Sequence, residues 1–158
     1  MDKSTRDKIL SKIPYGLYII GAKTKEGPAA IIANWVGQVS FDPPLVSVSI
    51  ERGSDMQTYI EDSNYFSVNL LPEGSTQLAK VYLKKSKPVA ASVNGREISF
   101  GKHGSPFLKD AMASLECKVV NYSRTGDHVM FVGEVIDGVR HTDESILTLR
   151  ETGLKYNR

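Results

Sequence analysis

Apolar and polar side chains alternate along residues 45–50, with Val46, Val48 and Ile50 on one face and Ser47 and Ser49 on the other. A period of two is the signature of a half-buried strand. Residues 65–70 repeat it through Phe66, Val68 and Leu70. Residues 15–22 are β-prone, Thr24-Lys25-Glu26-Gly27 makes a turn, and residues 28–33 return antiparallel as a first hairpin. Strand signals resume at 115–122, turn at Arg124-Thr125-Gly126-Asp127, and continue through 128–136 and a final run at 146–149. The period changes to helical in three places. Ser4 with Asp7 predicts an N-cap for a short helix carrying Ile9, Leu10 and Ile13 and ended by Pro14. Residues 54–62 bring Met56, Tyr59 and Ile60 to one helix face, and residues 75–84 do the same with Leu78, Val81 and Tyr82. Residues 85–106, with Pro88, Gly95, Gly101 and Gly104, have weak periodicity and predict a loop with a short strand at 96–100, a candidate mobile lid.

Many short strands with three short helices argue against a doubly wound sheet. They predict a mainly β fold: a small, closed or partly closed antiparallel barrel with helical insertions. The length of 158 residues suits a single domain spanning 1–158 that needs no disulfide or metal staple. No apolar run approaches the roughly 18 residues of a membrane span, and the N-terminal residues lack the apolar region of a secretory signal, so a cytoplasmic protein is expected. A net charge of +2 with scattered basic residues argues against a nucleic-acid partner, and Lys84, Lys85 and Lys87 read as a solvated helix end. The single cysteine, Cys117, alternates with charged neighbours and points inward as a small hydrophobe.

Several chemistries lack their markers. The three histidines and one cysteine give no zinc-type spacing. No Gly-x-Gly-x-x-Gly, P-loop or Gly-x-Ser-x-Gly is present. What stands out is Ala33-Asn34-Trp35-Val36-Gly37-Gln38-Val39-Ser40-Phe41-Asp42-Pro43-Pro44, a stretch rich in hydrogen-bonding groups that runs into the 45–50 strand. The paired prolines fix φ twice and remove two amide donors, so the loop before them is held stiffly. A second distinctive stretch is Gly126-Asp127-His128-Val129-Met130-Phe131-Val132-Gly133-Glu134-Val135, a tight turn that delivers a histidine into a strand.

These two stretches, in this order, resemble the hallmarks of the flavin reductase-like, FMN-binding split-barrel family. The resemblance runs from about residue 13 to 135 and, more loosely, to Gly153-Leu154-Lys155-Tyr156. With Ala33-Asn34-Trp35 where broader members carry Thr and Ser, the chain is more similar to ferric reductases, flavoredoxins and the reductase modules of flavodiiron proteins. The resemblance implies FMN, with FAD possible, as cofactor and NAD(P)H as co-substrate. It implies electron delivery to free flavin, ferric complexes or a redox protein, and a homodimer that shares its flavin pocket. A flavoredoxin-like electron carrier without nicotinamide activity is the alternative.

A flavin needs hydrogen-bonding groups along its ring edge, a flat wall, and positive charge or donors for its phosphate. Asn34, Trp35, Val36 and Gln38 are the candidates for the ring edge, and Ser40 for the ribityl chain or phosphate. Arg52, Gly53, Ser54 and Thr58, around the next helix N-terminus, are the candidates for the phosphate. His128 is the candidate catalytic residue, orienting the nicotinamide beside the flavin. Each has a plainer role open to it. Trp35 reads also as a barrel-mouth plug, Asn34 as a turn cap, Ser54 as a helix cap, Thr58 as a surface residue, Arg52 as a solvated strand end and His128 as scaffold.

Overall fold

The computed structural model describes residues 1–84, 88–89, 92–124 and 126–154. The chain forms α1 (Lys3–Leu10), β1 (Tyr18–Thr24), β2 (Gly27–Ala33), β3 (Val36–Ser40), β4 (Leu45–Glu51), α2 (Asp55–Ser63) and β5 (Tyr65–Leu70). It continues with α3 (Thr76–Val81), β6 (Pro88–Val89), β7 (Ser92–Val93), β8 (Arg96–Phe100), β9 (Pro106–Leu108), β10 (Ala113–Ser123), β11 (His128–Arg140) and α4 (Leu149–Thr152). Seven strands make one antiparallel sheet in the order β2-β1-β5-β10-β11-β4-β3.

The sheet curls around one apolar interior. Val46, Val48 and Ile50 of β4 meet Ile20 and Ala22 of β1, Ala29 of β2, Phe66 and Val68 of β5, Cys117 of β10 and Val129 and Phe131 of β11. Inward-facing residues from strands at both ends of the sheet therefore share one core, as barrel closure requires. Among the described residues β2 pairs only with β1 and β3 only with β4, so the barrel is split between β2 and β3. Helix α2 plugs the opening: it contacts β1 and β2 on one side and β4 on the other, and buries Met56 and Ile60. Gly133 of β11 admits the Phe66 ring, since a Cβ there would sit 2.7 Å from Phe66 Cε1 and from Cys117 Cβ. Cys117 is buried, and burial, with the charge of Glu116 second, pushes its thiol up to about 12.

A second core lies on the outer face of β1 and β2. Leu17, Ile19, Ala30, Leu71, Ala79, Tyr82, Val93, Ile98, Leu108 and Leu147 pack there beneath the small sheet β6-β7-β8-β9. This arrangement bears out the strand expected at 96–100, which is β8, and corrects the loop expected around it. Residues 85–87, 90 and 91 lie outside the described residues; beyond them β7 and β9 pair with β8, and Val93 and Ile98 are buried in the core, so the segment is not a lid.

Other boundaries also move. Asp2, not Ser4, caps α1 by accepting from the Thr5 amide at 3.0 Å, and the helix ends at Leu10, before Pro14. Its apolar stripe buries nothing, with Ile9, Leu10 and Ile13 all exposed. Helix α3 stops at Val81 instead of 84, β11 runs four residues past 136, and 146–149 forms two isolated bridges before α4 instead of a strand. Lys85 and Lys87 of the basic trio, Thr125 of the turn, and Lys155 and Tyr156 fall outside the described residues.

Candidate functional site

The two sequence stretches converge at one corner of the barrel. β4 lies between β3 and β11: Val36 opposes Val48, and Val129 opposes Ile50. The Ser49 amide donates to Trp35 O at 3.0 Å, which draws the entry to β3 against the end of β4. His128 opposes Glu51 at the start of β11. Because Val129 and Phe131 point into the core, His128 projects from the outer face, and its ring meets the Trp35 indole with centroids 4.5 Å apart at an interplanar angle of 54°. Asp127 holds the imidazole through Oδ1, 2.6 Å from Nδ1. The His128 side chain is 26% exposed and that of Asp127 50%, so the pair opens on solvent.

The third component joins at the same corner. The Arg52 amide donates to Asp127 O at 2.9 Å, tying the loop after β4 to the turn before β11. Gly53 sits at φ 81°, the left-handed region that favours glycine, and its amide donates to Gln57 Oε1 at 2.7 Å. Ser54 caps α2, its Oγ accepting from the Gln57 amide at 3.3 Å, so the plainer role proposed for it is real. Thr58 is exposed one turn further along α2. Arg52 is exposed, and among the described residues no carboxylate pairs with it.

Gly37, Ser47 and Ser49 extend from this corner as a strip of small residues on the outer face of β3 and β4. Gly37 opposes Ser47, whose Oγ donates to Gly37 O at 3.3 Å. A Cβ built on Gly37 would meet nothing within 4 Å, so open space stands over the strip. A flat ligand can lie on such a floor with Trp35 and His128 at its end. Alternation alone marks Ser47 and Ser49 only as the polar side of a strand; their small size is the signal in the sequence that points to the strip.

Two expectations need correction. Val36, Gln38 and Ser40 are not in a loop; they form β3, an edge strand, and only Asn34 and Trp35 remain in the connection. An edge strand with two exposed residues and a register irregularity between Gln38 and Ser40 lacks the alternation that marks a strand in sequence. Ser40 also opposes Leu45, at the far end of β4 from Ser54. The seven residues of β4 span roughly 20 Å, so Ser40 and Ser54 of one chain do not share a phosphate.

Two concavities, of about 530 and about 260 Å³, lie away from this corner, the first between residues 11–15 and 148–154, the second around Tyr122 and Arg124. The space over Gly37 and the exposure of the His128 and Asp127 side chains make the corner an open shelf. Among the described residues no cluster of three or more metal-ligating side chains occurs, and no helix is long and apolar enough to cross a membrane.

The flavin reductase like domain matches residues 10–156 of the chain. Diflavin flavoprotein A 1 of Synechocystis sp. is 35% identical over 136 residues, which are 85% of this chain and 24% of that protein. This chain thus spans about a quarter of the length of the diflavin flavoproteins it matches. The ferric-chelate reductase (NAD(P)H) of Archaeoglobus fulgidus is 31% identical over 140 residues, 87% of this chain and 82% of that one. Among solved structures, the flavin reductase PheA2 is similar at 30% identity and a TM-score of 0.80, covering 94% of this chain and 93% of its own.

Proposed function

Because the chain belongs to the flavin reductase-like domain family, we propose that it is an FMN-binding oxidoreductase that takes hydride from NAD(P)H and passes electrons to free flavin, ferric complexes or a redox protein. The observation that carries the reading is the Trp35–His128 contact, which joins two stretches 93 positions apart at the end of an open strip of small residues. When bound, a flavin supplies acceptance of a hydride and release of single electrons.

The chain's own residues supply the rest. Asn34, Trp35, Val36 and Gln38 offer backbone and side-chain groups along β3 and its entry for a ring edge. Donors there stabilise negative charge that gathers on reduction. Arg52, Gly53, Ser54 and Thr58 set a cation and hydroxyls around the α2 N-terminus, where an anion is favoured. Ser40, at the other end of β3, is assigned to the ribityl side or to the partner protomer's pocket rather than to this phosphate. Asp127 fixes the orientation of His128, and His128 presents its outer edge to a nicotinamide. No proton relay is needed, because ring-to-ring hydride transfer depends chiefly on holding the two reactants about 3 to 3.5 Å apart.

A shelf open on one side needs a cover. We assign that role to a second copy of the chain: among the described residues β3 pairs on one side only, and Val39 within it and Phe41 just after it are 54% and 90% exposed. The cytoplasm, rich in reduced nicotinamide, is the compartment this reading expects.

The visible spectrum of the purified protein, with and without added FMN and FAD, tests the binding step. Absence of flavin bands in every sample overturns the redox reading. Anaerobic mixing with NADH and with NADPH tests the donor: bleaching with either supports the reductase. Colour that persists with both but bleaches with a reduced iron–sulfur protein transfers the chain to the electron-carrier alternative.

A further inference from the structure

The concavity of about 530 Å³ between the end of α1 and α4 plays no part in the site described above. One wall is residues 11–15, with Ile13, Pro14 and Tyr15; the other is residues 148–154, with Leu149 and Leu154. The walls are stitched together. Leu149 N donates to Tyr15 O at 2.9 Å, Leu17 N donates to Leu147 O at 2.7 Å, and Gly16 and Thr148 form a bridge between them. Leu149 and Leu154 pack on the second core, and Leu147 is wholly buried in it. The groove is therefore anchored to the body of the fold, and its volume falls within the roughly 300–1,000 Å³ of small-molecule sites.

Its charge is one-sided. Lys12 and Arg150 both line it, and among the described residues neither pairs with a carboxylate. The nearest acid in sequence, Glu151, is committed elsewhere: its carboxylate accepts from the Thr148 amide and hydroxyl at 3.2 and 3.3 Å and from the Gly74 amide at 3.2 Å. An apolar slot containing a tyrosine and a proline suits a planar heterocycle, and two cations with no carboxylate partner among the described residues, one a guanidinium fork, suit a polyphosphate. The groove also opens on the right end of the barrel. Tyr18 opposes Ala33, so Tyr15 and Trp35 leave the paired strands at the same end of the sheet.

We propose that this groove binds a nucleoside diphosphate, the ADP moiety that NAD(P)H and FAD have in common, with Lys12 and Arg150 engaging its pyrophosphate. The functional part of the proposal rests on the nicotinamide- and flavin-using reading, but ADP binding itself does not. The sequence carries no dinucleotide fingerprint, and the groove provides a separate way to hold that half of the molecule.

The test begins with calorimetric titration of ADP into the full chain without flavin. The expected result is a dissociation constant of about 1 mM or tighter, weakened about tenfold or more in Lys12→Gln/Arg150→Gln. Lys25→Gln, which removes a cation at the β1–β2 turn, is expected to leave ADP binding unchanged. Lys12 and Arg150 are both exposed, so all three proteins should melt together. No binding by the wild-type chain, or equal binding by the double variant, overturns the proposal whether or not the protein proves to be a flavin enzyme. Two arms then identify the source. A rise in KM for NADH or NADPH that exceeds any fall in kcat assigns the groove to the donor. A selective loss of affinity for FAD, with FMN unaffected, assigns it to the flavin. Weakened ADP binding with neither KM nor the FAD-to-FMN ratio changed makes ADP an adventitious ligand and overturns the functional claim.

Discussion

Two histidines in this molecule sit in nearly the same chemical company and do opposite things with it. His103, in the turn between β8 and β9, stacks on Tyr65 with centroids 4.2 Å apart and has Glu116 Oε2 at 3.3 Å from Nδ1. His128 leans on Trp35 at 4.5 Å and has Asp127 Oδ1 at 2.6 Å. The difference lies in the carboxylates. Glu116 is fully buried and saturated: it accepts from the His103 amide at 3.0 and 3.2 Å and from the Ser105 amide at 3.0 Å. Gly101 allows this closure, since a Cβ there would stand 2.7 Å from the Glu116 carboxyl carbon. Asp127 is half exposed and holds the His128 imidazole at the edge of solvent. A histidine beside an aromatic ring and a carboxylate is thus not by itself a site. What separates anchor from site is where the carboxylate spends its hydrogen bonds and whether open space adjoins the ring.

The largest effect that can break this contrast is on the anchor. Glu116→Ala orphans the amides of His103 and Ser105 in a buried place, and should cost about 3–5 kcal/mol in urea-induced unfolding. Glu116→Gln keeps the shape but turns an NH₂ toward amide donors, and should recover only part of the loss. A Glu116→Ala protein within about 1 kcal/mol of wild type would remove the anchor from the argument. Next comes the aromatic wall of the open corner. Trp35→Ala should weaken FMN binding about 10- to 100-fold, read by fluorescence titration, with little change in melting temperature, because Trp35 is only part-buried. Equal FMN affinity in Trp35→Ala and Thr58→Ala together would move the flavin off this corner.

The same contrast explains how far the sequence could be read. The strands whose polar face meets solvent were legible: β4 buries Val46, Val48 and Ile50 as its alternation predicts, and the β10–β11 hairpin turns where Gly126 and Asp127 stand. Strands with a polar face that is itself covered were misread as half-exposed. On β5, Ser67 and Asn69 are buried, and Asn69 Oδ1 accepts from the Leu108 amide at 2.8 Å and from Ser114 Oγ at 2.7 Å. Glu116 on β10 belongs to the same buried polar strip. Periodicity reports which residues share a face; it does not report that residues 92–108 fold back over that face. The site had a similar limit. Motif order brought out Trp35 and His128, the helix N-terminus brought out the segment 52–58, and the fold brings them to one corner, whereas β3 remained hidden because an edge strand need not alternate.

A smaller effect sharpens the comparison from the functional side. His128→Ala removes a ring that faces the shelf, so hydride transfer from NADH or NADPH in stopped-flow mixing should slow about tenfold, while FMN affinity changes less. Asp127→Asn should fall between wild type and His128→Ala, since it loosens the imidazole without removing it. An unaltered rate in both variants would demote His128 to scaffold and leave Trp35 as the only functional member of the pair.

His103→Ala gives the smallest effect and the sharpest test of the distinction. Its imidazole is 43% exposed, and it contributes a stacking contact on Tyr65 and one long bond to Glu116, whereas the clasp on that carboxylate is made by backbone amides that alanine retains. The loss in stability should be about 1 kcal/mol or less, with flavin binding and hydride transfer unchanged. If instead His103→Ala slowed reduction as much as His128→Ala, burial of the carboxylate would not be what divides the two, and the role of His128 would have to be argued from something other than its open surroundings.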